Sequence, residues 1–101
     1  MNKLTQSEAV ALALGSLYQF KDKVEEIMPL VQVNNYRENY EQLILNLAFQ
    51  FEWQGTGYYY SCTEIVYDEA KGKWVCFFDG SGPNDSYYDF VDGKAKIFWM
   101  D

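Results

Sequence analysis

Residues 36–53, YRENYEQLILNLAFQFEW, decide how the chain is read. Tyr36, Tyr40, Leu43, Ile44, Leu47 and Phe51 recur at helical spacing along one face, and Leu45 and Phe49 add apolar area on a second. Asn34-Asn35 stands before them as a cap, with Glu38 three residues after Asn35, and Gly55 and Gly57 follow as stops. This spacing predicts a helix. A helix apolar on more than one face is one buried between two layers, so a first helix on one side and a sheet on the other are expected to cover it.

Towards the N-terminus, TQSE at 5–8 has the spacing of a capping box, and Val10, Leu14, Leu17, Val24 and Ile27 follow at helical intervals. Pro29 ends that first helix, because the residue before a proline is pushed out of the α region. Gly15 weakens its middle by about 1 kcal/mol relative to Ala.

Towards the C-terminus the period drops to two. YYYSCTEIVY at 58–67 reads as a strand, 68–72 as a turn with Gly72 at positive φ, and KWVCFF at 73–78 as the returning strand. The breakers at 80–85 make a loop, 86–91 a third strand, Asp92-Gly93 a tight turn and 94–100 a fourth strand. In that last hairpin Asp89 faces Lys96, an opposite-charge pair, while Tyr88, Phe90, Ile97 and Trp99 share the core face. The expected fold is α+β: two N-terminal helices packed on one face of a four-stranded antiparallel β-meander, as a single domain over residues 1–101.

Composition narrows the function. Hydrophobic residues are 49% and charged residues 23%, ordinary for a globular domain. Aromatic residues reach 19%, which suits half-buried sheets and interfaces. Eight basic and fifteen acidic side chains leave a net charge of −7. Such a surface repels nucleic-acid phosphates and anionic lipid and attracts a basic protein. Direct nucleic-acid and membrane binding are therefore disfavoured. The opening residues carry Ser7 and Glu8 ahead of their apolar positions and do not read as a secretory signal, and no apolar run approaches the ~18 residues that span a bilayer. A cytoplasmic location follows as the expectation, with Cys62 and Cys76 reduced unless strand register sets them opposite each other.

The residue inventory argues against catalysis. The chain has no histidine, Arg37 is its only arginine, and two cysteines cannot make a four-thiolate site. Gly80-Ser81-Gly82 lacks a following lysine and lies between Asp79 and Asp85, which would repel phosphate. Asp79, Ser81, Asp85 and Asp89 miss the calcium-loop spacing, with Pro83 at its fifth position and Phe90 where the chelating Glu belongs. No enzyme activity, cofactor or metal is expected. What remains is a partner surface: Asp79, Asn84, Asp85, Tyr87 and Asp89 in one stretch, Asp68 and Glu69 in one turn, and Asp92 in another. Tyr58, Tyr60 and Tyr87 are candidates for the exposed side, with the register of the first hairpin left open by the pattern.

Taken whole, the chain resembles the small acidic immunity proteins of contact-dependent inhibition and polymorphic toxin systems. The likeness lies in size, charge and the order helices-then-meander, and in an ending, GKWVCFFDG followed by DFVDGKAKIFWMD, similar to the last strands of some of those families. The resemblance implies a monomer that covers the cleft of a cognate basic toxin, a nuclease first, with carboxylates in place of substrate phosphates. Two other readings stand beside it. One is a phage anti-defence protein that mimics nucleic acid against a CRISPR effector or restriction enzyme. The other is a small-ligand domain with a pocket lined by Phe49, Phe51, Trp53, Tyr88 and Trp99.

Overall fold

Residues 44–53, ILNLAFQFEW, form a strand and not a helix. In the computed structural model, which describes residues 3–78 and 97–99, the expected second helix is replaced by a hairpin of β1 (Gln32–Asn39) and β2 (Ile44–Trp53). The physical reason is visible in β2 itself. Leu45, Leu47, Phe49 and Phe51 alternate with Asn46, Gln50 and Glu52, and the first set is buried while the second is half-buried or exposed. That period-2 pattern places four large side chains on one sheet face. The helical spacing of Tyr36, Tyr40, Ile44, Leu47 and Phe51 is a coincidence that crosses a turn. Asn39 makes that turn: its Oδ1 accepts from the Gln42 amide at 3.0 Å, and its Nδ2 donates to Gln42 Oε1 at 3.2 Å. Leu43 then adopts φ 57° to bring the chain back.

The sheet continues through β3 (Thr56–Asp68) and β4 (Lys73–Phe78) to β5 (Ile97–Trp99), in the order β1-β2-β3-β4-β5 with every neighbouring pair antiparallel. Among the described residues the fold is thus α+β with a five-stranded antiparallel sheet. Turn 68–72 closes as expected, with Gly72 at φ 68° and its amide donating to the Asp68 carbonyl at 2.8 Å. At the far edge Phe77 faces Ile97 and Val75 faces Trp99. The place beside β4 that the sequence pattern assigns to a strand at 86–91 is therefore held by 97–99. The 86–91 strand itself, the loop at 80–85 and the Asp89–Lys96 pair lie outside the described residues.

Two bulges make the alternation work. In β3, Tyr60 faces Phe49 and Thr63 faces Leu47, so Ser61 and Cys62 together oppose Ala48. This extra residue shifts the inward set from Tyr58 and Tyr60 to Thr63, Ile65 and Tyr67, and leaves Glu64 outside. A second bulge at Asn34 does the same for β1, turning Val33 and Tyr36 towards the core. Between β2 and β3 the turn is two residues, Gln54 and Gly55, at φ 52° and 80°. Positive φ at both central positions is the type I′ geometry that matches strand twist.

One face of this sheet packs on the N-terminal segment. The expected capping box forms: Thr5 Oγ1 accepts from the Glu8 amide at 3.1 Å and Glu8 Oε1 from the Thr5 amide at 2.8 Å. Helix α1 (Gln6–Gly15) ends much earlier than the pattern suggests, however. From Gly15 the chain runs through tight turns, Leu17 amide to Leu14 carbonyl, Phe20 to Leu17 and Lys23 to Phe20, before the four-residue α2 (Val24–Ile27) and a 3₁₀ turn at Met28–Leu30. These turns bring Phe20 edge-on to Phe51, Trp53 and Tyr58, at 5.2, 5.8 and 4.8 Å between ring centres. Ala9, Leu12, Ala13, Leu14, Leu17 and Ile27 complete the layer over Leu45, Leu47, Phe49, Ile65, Trp74, Cys76 and Phe78. Cys76 is a free, fully buried thiol, and its cross-strand neighbour is Ile65, so the register condition for pairing with Cys62 is not met.

Two substitutions test this account. Gln54→Asn relieves a non-glycine residue at positive φ and should raise stability by about 0.5–1 kcal/mol in urea unfolding. Thr63 is 2% exposed and its Oγ1 has no hydrogen-bond partner among the described residues. Thr63→Val should therefore stabilise the domain by about 1 kcal/mol, read from the same unfolding midpoint.

Candidate partner-binding surface

Of the residues singled out by the sequence, Asp68 and Glu69 are described. Both sit at the β3–β4 turn. Asp68 is half-buried and its Oδ1 accepts from the Lys71 amide at 3.1 Å, so this carboxylate holds the turn together before it can serve a partner. Glu69 projects into solvent. Asp79, Asn84, Asp85, Tyr87, Asp89 and Asp92 lie outside the described residues, as does the loop considered for calcium. Among the described residues no three cysteine or carboxylate side chains gather as a metal-binding group, and no helix is long and apolar enough to cross a membrane.

The tyrosines are distributed differently from expectation. Tyr60 is 2% exposed and stacks on Phe49 at 5.3 Å, and Tyr58 is half-buried against Phe51 and Phe20. Both follow the core parity of β3, which the sequence pattern left open. Tyr59 is the exposed member of the run, at 49%. Phe49 and Phe51, two of the rings proposed as a pocket lining, are buried in ring-to-ring contact at 6.3 Å, and Trp53 is half-buried with its indole Nε1 donating to Glu26 Oε2 at 2.6 Å. Tyr88 and the Trp99 side chain, the other two members of that lining, lie outside the described residues.

On the outer face of the sheet, an open groove of about 490 Å³ lies where β1 begins and the β2–β3 hairpin ends. Gln32, Gln50 and Tyr59 form one cross-strand row along it, Glu52 and Gly57 the next, and Leu30 borders it from the 3₁₀ turn. None of these positions is among the partner-surface residues that the sequence points to, and Gly57 enters there only as a helix stop. The signal was present in the β2 alternation, which turns Gln50 and Glu52 outward, but it is legible only once 44–53 is read as a strand.

The titrating groups that depart from ordinary behaviour are structural. Burial raises the Cys76 thiol well above its usual range, which makes it a poor nucleophile. Burial is also the main cause that pushes the Tyr60, Tyr36 and Tyr40 phenols up, helped at Tyr36 and Tyr40 by the nearby Glu38 carboxylate. The Tyr40 hydroxyl donates to the Leu4 carbonyl at 2.8 Å and accepts from the Leu4 amide at 3.2 Å, while Tyr36 Oη donates to the same carbonyl at 3.4 Å. Lys3 Nζ lies 5.0 Å above the Tyr40 ring. These contacts pin the segment entering α1 to the β1–β2 hairpin.

Because these phenols ionise later in the folded chain than in the unfolded one, their neutral forms contribute stability that is complete below about pH 10. That contribution is lost as pH rises through the raised folded values. Equilibrium unfolding followed across the alkaline range should show stability falling above about pH 10, and Tyr40→Phe should cost about 1 kcal/mol at neutral pH through the lost Leu4 contacts.

No protein-family model, curated protein or solved structure shows significant similarity to the chain.

Proposed function

We propose that the chain is an immunity-type inhibitor, a stoichiometric binder that neutralises a basic protein toxin, a nuclease first, by covering its cleft. The observation that carries this reading is the division of side chains between inside and outside. Phe49 and Phe51, two of the rings expected to line a small-ligand pocket, are packed into an aromatic run from Phe20 to Tyr60 and Phe78. The outside is acidic: nine of the ten acidic side chains among the described residues are exposed, against six basic residues in the same set. The whole chain carries −7.

Such a surface does one thing well. It steers a basic partner into contact and accelerates the encounter most at low salt. An interface of about 1,600 Å² is ample for tight binding and within reach of a domain this size. Carboxylates, including Asp79, Asp85 and Asp89, stand where the phosphates of the toxin's substrate would stand, and the domain performs no chemistry of its own.

The test is titration of a basic nuclease toxin encoded beside this chain. Nuclease activity should fall to zero at one equivalent, and the association rate should drop by roughly tenfold or more between low and high salt. Reversal of Asp79 or Asp85 to Lys should weaken the complex by about tenfold each without changing the unfolding midpoint, whereas Asp89→Lys, expected opposite Lys96, should weaken the complex and lower the midpoint as well. Full nuclease activity in a molar excess of the chain sinks the reading.

A further inference from the structure

Among the described residues three large apolar side chains stand in water: Tyr18, Leu30 and Tyr59. Tyr18 already has a cation, with Lys21 Nζ 4.8 Å from its ring centre. Leu30, at 48% exposure, and Tyr59, at 49%, both line the outer groove. Two of the three are therefore in one place, beside an exposed carboxylate, Glu52.

The strand register defines what this place can hold. Tyr59 lies opposite Gln50, and Glu52, two residues further along β2, lies opposite Gly57. Glu52 and Tyr59 are thus diagonal neighbours on one sheet face, about 7–8 Å apart along the backbone and within reach of a single bound group. Gly57 contributes no side chain, and a Cβ placed on it would meet nothing within 4 Å, so the space over the residue opposite Glu52 is open. The amides of Gln32 and Gln50 complete the row, and Leu30 offers an apolar wall.

An anion is repelled by Glu52. A wholly apolar ligand would bury that carboxylate and two amides with nothing to pair them, which opposes binding. A planar cation satisfies all of them together. A guanidinium stacks on the tyrosine face, gives paired N–H donors to the carboxylate and leaves others for the glutamine carbonyls, while its methylene stem lies along leucine. An ammonium offers a point charge and no plane to stack. We infer that this groove seats an arginine side chain of a basic protein partner, packed on Tyr59 and paired with Glu52. The inference rests on the proposed reading of a basic partner and locates one contact of it.

The experiment is backbone amide NMR of the full chain, titrated with an acetylated Gly-Arg-Gly-Arg-Gly peptide and with its citrulline counterpart, at about 50 mM salt so that screening is modest. The arginine peptide should shift the amides of Leu30, Gln32, Gln50, Glu52, Gly57 and Tyr59, and the citrulline peptide should bind at least about tenfold more weakly. Glu52→Gln and Tyr59→Ser should each abolish the clustered shifts. Gly57→Val fills the open space at a position whose backbone lies outside the left-handed region, and should block the peptide while the remaining spectrum stays in place. Equal binding of the citrulline peptide overturns the inference. So do shifts scattered over the other acidic positions, or shifts at these six amides that grow with protein concentration alone, the mark of a second copy. If Glu52→Gln combined with Tyr59→Ser leaves toxin neutralisation intact, the groove is not the seat and the proposed function stands. If the peptide binds as expected while a cognate basic toxin is not inhibited, the groove's chemistry holds and the proposed function fails.

Discussion

The bulge at Ser61-Cys62 is the constraint on which the rest of the structure depends. A thirteen-residue strand with strict alternation would send either Tyr58 and Tyr60 or Ile65 and Tyr67 to the solvent face, because 58 and 60 have opposite parity to 65 and 67. One unpaired residue opposite Ala48 resolves this, and all four side chains reach the same core. Without the bulge the register that sets Tyr60 opposite Phe49 would carry Glu64 inward opposite the buried Leu45, where an ionised carboxylate has no partner. The register of β4, set by Thr63 opposite Phe78 and Asp68 opposite Lys73, then follows from β3.

Once that core face is defined, the N-terminal segment has little choice. Ala9 and Ala13 present small side chains that let α1 lie close to the sheet, and Leu12, Leu14 and Leu17 fill the space around them. Gly15 and Ser16 end the helix: Ser16 turns its hydroxyl back to the Leu12 carbonyl at 2.7 Å, a bond that competes with continued helix. The looser turns that follow carry Phe20 into the aromatic cluster, and the Tyr36 and Tyr40 hydroxyls hold the chain at Leu4. The same packing decides where function can reside. With the rings turned inward, the surface is left to carboxylates and to a groove on the opposite sheet face.

How much of this was legible in the sequence varies by element. The capping box at Thr5, the turn at Gly72 and the strands around it could be read directly, because each rests on local chemistry within a few residues. The stretch 36–53 could not. Its apolar residues satisfy a helical spacing at Tyr36, Tyr40, Leu43, Ile44, Leu47 and Phe51 and a strand alternation at Leu45, Leu47, Phe49 and Phe51. Periodicity alone does not choose between two templates that share members. A helix over this stretch would hide the outward position of Glu52 and make Gly55 and Gly57 helix stops, whereas Gly55 closes a hairpin turn and Gly57 lies in β3 opposite Glu52.

The sequence by itself determined the composition of the two surfaces: an aromatic, apolar set large enough for one core, and an acid excess of seven charges with no histidine to do chemistry. Local signals also determined where the chain turns. Only the tertiary structure decided which residues meet. Burial on a sheet face is settled by cross-strand register, and register depends on a bulge whose benefit, keeping Ile65 in and Glu64 out, is felt between strands and not within one. The groove that joins Leu30, Glu52 and Tyr59 is a product of that pairing, since three elements separated along the chain contribute to it.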